Sequence, residues 1–146
     1  MSKSLSIAKA VAFSVAFATF SSVVNAQSIL AELKAVPDPA KRSERALAFA
    51  DAAFDNAQSF YGKGEIDNGD AQLEDMTSAL NECVGSLAAA RKPQLYKKAE
   101  LKVALLQRRM QALVSDIEFE RRGWAAYSER KLDEIHDKLL DGVIRK

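Results

Sequence analysis

From Pro39 onward, apolar residues recur at steps of three and four in stretches too long for strands, while glycine and proline are sparse and cluster at what read as joints. That period is the face of an amphipathic helix, and no segment alternates in the way a half-buried strand would. The first stretch, about Pro39 to Tyr61, carries Leu47, Ala50, Phe54, Ala57 and Tyr61, widened by Ala46, Phe49, Ala53 and Phe60. A second, about Asp67 to Ala90, carries Leu73, Met76, Leu80, Cys83/Val84 and Leu87. A third starts near Pro93 with Leu95, Ala99, Val103, Leu106, Met110, Leu113 and Ile117. The last has Leu132, Ile135, Leu139 and Val143 in line.

The joints have chemical reasons. Asp38 can cap a helix whose first position is Pro39, where the missing N–H costs nothing. Gly62-Lys63-Gly64 suits a helix C-terminus. The residue before Pro93 resists the helical region, which breaks the chain at Arg91-Lys92-Pro93. A further break is expected around Ser115 to Gly123; without it, the third and fourth stretches would form one bent helix. The expected fold is all-α, an antiparallel up-down bundle of three to four long helices over residues 39–146. A short helical piece, Ile29 to Leu33, and a linker precede it within residues 27–38.

Residues 1–26 read as a cleaved signal peptide. Lys3 and Lys9 form a basic start, Ala10 to Val24 an apolar run, and Val24-Asn25-Ala26 a small-residue cleavage motif. The run is short and carries Ser14, Thr19, Ser21 and Ser22, whereas a membrane-spanning helix needs about 20 apolar residues. The expected location is therefore the periplasm or the outside of the cell, with Gln27 as the new N-terminus and no stable membrane insertion after cleavage. One domain with a real core fits the length that remains.

Composition narrows the chemistry. One cysteine excludes a disulfide within the chain, and one histidine excludes a His-rich metal cage. Cys83 reads as a small hydrophobe in the core, and His136 as a partly exposed residue beside the last stripe. In an up-down bundle the second and fourth long helices run parallel. Cys83 and His136 would then lie at a similar height, with Glu82 and Glu100 close to that level. A metal or small-ligand site on Cys83 and His136 is thus the alternative reading, although two strong ligands are too few for a closed zinc site. Haem is rejected, because Met76 and Met110 fall at the wrong height to share an iron with His136. No cofactor and no catalytic residue is expected: the sequence has no phosphate loop or nucleophile elbow.

Charge is distributed unevenly. The whole chain is near neutral at +1. Residues 27–90 nevertheless carry 5 basic and 11 acidic side chains, while 91–110 carry 7 basic ones against Glu100 alone. The basic helix is expected to lie against the acidic hairpin and complement it. The near-neutral total and the lack of an aromatic ladder argue against nucleic acid. At 100° per residue, Leu101 and Leu105 fall among the basic side chains Lys97, Lys98, Lys102, Arg108 and Arg109, away from the main stripe. They would either pack under the Ile29–Leu33 piece, the favoured expectation, or form an exposed patch for another protein. These seven residues are the candidate partner-binding face. Trp124 and Tyr127 read as core or end-capping aromatics.

The segment Phe60-Tyr61-Gly62-Lys63-Gly64-Glu65-Ile66-Asp67, followed by Gly69, Leu73 and Met76, resembles the turn of a tetratricopeptide hairpin. The pattern does not recur about 34 residues later, so the likeness implies a helical hairpin and no repeat array. More broadly, the plan is similar to small secreted bacterial all-helical families with no assigned activity. The residues that carry this are the leader, Val36-Pro37-Asp38-Pro39, the Gly-Lys-Gly turn, Lys97-Lys98-Ala99-Glu100-Leu101 and His136-Asp137-Lys138-Leu139-Leu140-Asp141-Gly142. That resemblance implies no catalytic residues. The expected function is non-enzymatic contact with another envelope or secreted protein, as an adaptor or chaperone-like partner.

Overall fold

The structure is a computed structural model that describes residues 26–145, with side chains from Ile29 onward. All of the proposed export signal before Ala26 lies outside the described residues. Five α-helices follow one another: α1 (Ala26–Lys34), α2 (Pro39–Gly62), α3 (Ile66–Ala90), α4 (Pro93–Asp116) and α5 (Gly123–Ile144). A single 3-10 turn at Phe119–Arg121 separates α4 from α5, so the third and fourth long helices are distinct. The fold is an all-α bundle, and among the described residues there is no strand.

Local chemistry accounts for the boundaries. The Asp38 carboxylate accepts a hydrogen bond from the Ala40 N–H at 3.0 Å, and Pro39 occupies the first turn of α2. At the other end Gly64 takes a φ of +76°, a left-handed conformation that glycine adopts without steric penalty. Arg91 closes α3 in the same left-handed region, with Pro93 beginning α4 two residues later.

Cross-helix polar pairs set the directions. Arg42 meets Glu82 and Asn56 meets Gln72, so α2 and α3 are antiparallel. Gln107 with Asp133, and Glu100 with His136, make α4 and α5 antiparallel. Glu44 with Lys98 and Asp55 with Arg109 make α2 and α4 parallel neighbours. The bundle is thus two antiparallel hairpins laid side by side, with α2 beside α4 and α3 beside α5. Their common core holds Phe54, Leu73, Met76, Leu80, Leu87, Leu106, Met110, Leu132, Ile135 and Leu139, all fully buried. Burying such side chains contributes about 1.5–3 kcal/mol each, and this drives assembly of helices that are marginal alone.

Two close approaches lock the packing. A Cβ on Gly69 would lie 2.9 Å from the Tyr61 ring, so the tetratricopeptide-like turn needs its small residue for that aromatic. Tyr61 also donates a hydrogen bond to Asp70, closing the α2–α3 hairpin. A Cβ on Gly142 would run into the Tyr96 ring, so α5 approaches the start of α4 through a missing side chain.

The position of α1 departs from the favoured expectation. It lies on α3 and α2, with Leu33 and the linker residue Val36 buried, and it does not cover Leu101 and Leu105. The Arg42 guanidinium explains the placement: it donates to the Val36 carbonyl at 3.0 Å and to the Ser86 hydroxyl at 2.8 Å. That tie holds the linker on the α2–α3 side of the bundle.

Candidate protein-docking groove

The basic face of α4 meets the acidic face of α2. Lys98 pairs with Glu44 at 3.3 Å, Lys102 with Asp51 at 3.3 Å, and Arg109 with Asp51 at 3.5 Å and with Asp55. The Arg109 guanidinium also lies 4.5 Å above the centre of the Phe54 ring, tying the charged seam to the core. Each such surface pair contributes roughly 0–1 kcal/mol, so their effect is to fix which helix lies beside which. The charge complementarity expected between α4 and the acidic hairpin is present as these contacts.

Between the two parallel helices runs a groove of about 540 Å³. Leu47, Ala48, Leu101 and Leu105 supply its apolar lining, and Glu44, Asp51, Lys98 and Lys102 its polar rim. Leu101 is 57% exposed and Leu105 50%, which leaves two adjacent leucines open to solvent on one helix face. Their exposure follows from geometry: Ala99, Val103, Leu106 and Met110 already turn the opposite face of α4 into the core. Leucines roughly 130–170° around the helix from that stripe, at 100° per residue, then point outward unless another element covers them.

The seven candidate residues therefore divide. Leu101, Leu105, Lys98 and Lys102 line the groove, and Arg109 braces the seam beyond it. Lys97 turns to Glu100 within α4, at 3.1 Å. Arg108 is exposed and makes no ion pair among the described residues.

The second candidate pair, Cys83 and His136, sits toward the same end of the bundle, as the pairs Arg42–Glu82 and His136–Glu100 place them. Their side chains do different things. Cys83 is a free thiol 1% exposed, and burial pushes its pKa up to about 12, so it is neutral in ordinary buffers. His136 instead bridges to α4, its Nε2 3.0 Å from Glu100 Oε1. Glu100 is buried, and hydrogen bonds from His136 and then Lys97 hold its carboxyl below the ordinary glutamate value. Among the described residues no group of three or more His, Cys, Asp or Glu side chains stands together to hold a metal.

No protein-family model, curated protein or solved structure matches this chain. The functional reading therefore starts from the groove's own chemistry.

Sequence reasoning missed two features. Asp75 is buried in α3 at 6% exposure, and its place near the apolar face gave only a faint signal. A second hollow of about 440 Å³ lies at the far end, where Gln58, Tyr61, Asp116, Ile117 and Arg121 meet. Of the two settings expected for Trp124 and Tyr127, the structure shows the helix end: their tilted rings lie 5.1 Å apart near the start of α5, each about 40% exposed. Among the described residues no helix is long and apolar enough to cross a membrane.

Proposed function

We propose that the protein is an exported, non-enzymatic helical bundle that acts by contact with another protein of the cell envelope, as an adaptor or chaperone-like partner. The observation that carries this reading is the open groove between α2 and α4, with Leu101 and Leu105 exposed on its floor. Two large side chains left in water beside a charged rim give a partner apolar surface to bury and charges that fix its register. The rigid bundle supports the same reading: the groove is presented by two long helices rather than by loops, so a partner meets a preformed surface. The signal-like pattern read over residues 1–26 supports a setting for this contact in the periplasm or outside the cell.

The test is affinity capture from the native envelope, comparing the wild type with a Leu101→Ser/Leu105→Ser variant and measuring metal on the same samples. The expected result is a stoichiometric partner held by the wild type and lost from the variant. Both positions are at least half exposed, so the variant should melt within about 1 kcal/mol of the wild type. A partner retained by the variant, or tightly held metal with no partner, overturns the proposal.

A further inference from the structure

We infer that the exported chain is modified at its own first residue: Gln27, freed by cleavage after Ala26, closes to a pyroglutamyl lactam that neutralises the start of α1. The inference rests on the export reading of residues 1–26 and is independent of the groove.

The cut expected at Val24-Asn25-Ala26 leaves glutamine with a free α-amine. In a chain that begins with glutamine, that amine reaches the side-chain amide carbon to form a five-membered ring. The amine nitrogen forms a bond to the amide carbon, and the bond from that carbon to its NH2 group breaks. With one proton from the amine, that group leaves as ammonia, and the ring nitrogen remains as a lactam N–H. No oxidant, cofactor or second substrate enters. The product has no α-ammonium, so the step removes one positive charge from the chain end.

The fold gives that charge a consequence. Helix α1 starts at Ala26, so the expected cut falls at its first residue and Gln27 becomes its amino-terminal end. A helix start carries partial positive charge from N–H groups without an intrahelical partner, and a cation there is unfavourable. In α2 the Asp38 carboxylate answers those groups. Helix α1 has no acidic residue in its first turn to do so, whereas Lys34 stands in the last turn, where a cation suits the dipole. Fraying of the first turn also has a packing cost. Ile29, two residues beyond the new end, packs against the core, and Leu33 and Val36 are buried further along. A lactam at position 27 leaves the helix start neutral and so holds α1 more firmly on α2 and α3.

Intact mass and amino-terminal sequencing of the protein recovered from the exported fraction test this. The expected result is a chain that starts at position 27 and weighs about 17 Da less than one with an open glutamine. It should resist stepwise degradation until a pyroglutamyl aminopeptidase removes the lactam. Methionine matches glutamine in length but has no amide, so Gln27→Met supplies the open-chain comparison. Hydrogen exchange at about pH 6 should show the amides at the start of α1 protected about two- to five-fold better in the lactam form. The difference should fade at about pH 9, above the ordinary α-amine pKa of about 8. An open glutamine at position 27 that persists through days at neutral pH overturns the inference, as does equal protection of α1 in the two proteins at the lower pH. The failures are distinguishable: a chain that keeps its leader or starts elsewhere overturns the export reading as well, whereas one that starts with open glutamine leaves export standing.

Discussion

Replacing Asp75 with asparagine should stabilise the protein at neutral pH, because burial and the charge of Glu74 disfavour its ionised form. Asp75 is 6% exposed on α3, and among the described residues it makes no hydrogen bond or ion pair. Burial, reinforced by the charge of Glu74, raises its pKa from 3.8 to about 6. A carboxyl that holds its proton more tightly when folded makes the folded state bind more protons between those two values. Stability therefore falls as pH rises through that window, and the full cost is felt above pH 6. Two pH units correspond to about 3 kcal/mol as an upper bound. Asparagine keeps the shape but must itself be desolvated, so a net gain of about 1–2 kcal/mol is expected. Urea denaturation of wild type and Asp75→Asn at a series of pH values would measure it. The advantage of the variant should be near zero around pH 3.8, grow with pH and level off above 6. A variant no more stable than wild type at neutral pH refutes the reasoning, and so does an advantage that does not change with pH.

Other outcomes follow from single contacts. Glu100→Gln should cost about 1–3 kcal/mol at neutral pH, since it weakens charge-assisted hydrogen bonds from His136 and Lys97. Because the folded carboxyl titrates below its ordinary value of 4.5, that cost is fully present above 4.5 and should vanish as pH falls below it, as acid titration of the two proteins would show. Gly142→Ala should destabilise by about 1–3 kcal/mol through the Tyr96 ring, and a Tyr96→Ala background should remove the penalty in a double-mutant cycle. Gly85→Ala, whose Cβ meets open space in mid-helix, should instead stabilise by about 0.5–1 kcal/mol in thermal melts. Cys83, neutral and buried, should react with a thiol reagent only as fast as the protein unfolds; rapid labelling of the native protein would contradict its environment.

The helices were legible because their signals are local. Asp38 and Pro39 open α2, Arg91 and Pro93 separate α3 from α4, and the break expected between Ser115 and Gly123 holds the 3-10 turn. Each of these depends on residues a few positions apart. The arrangement of the hairpins is a different kind of information. The charge of 91–110 pointed to the acidic hairpin, but period alone does not say which neighbour lies at which angle around a helix. Leu101 and Leu105 show the consequence. Their angular position was readable, whereas the element expected to cover them, α1, is drawn to the other side by Arg42. The approach of Glu100 to His136 was foreseeable only as a shared height, because the rotation of α5 that aims His136 at α4 is set by the packing of Leu132, Ile135 and Leu139.

Asp51 occupies a singular place on the groove. Among the described residues it is the one carboxylate on the α2–α4 seam that answers two cations, Lys102 and Arg109. A change of that single residue to asparagine would leave the helices and the apolar floor as they are while freeing Lys102 toward the trough, Arg109 keeping its pair with Asp55. The electrical character of the groove is thus set almost independently of its shape. One acid on α2 sets the charge along the trough without any change to the helix that carries the leucines.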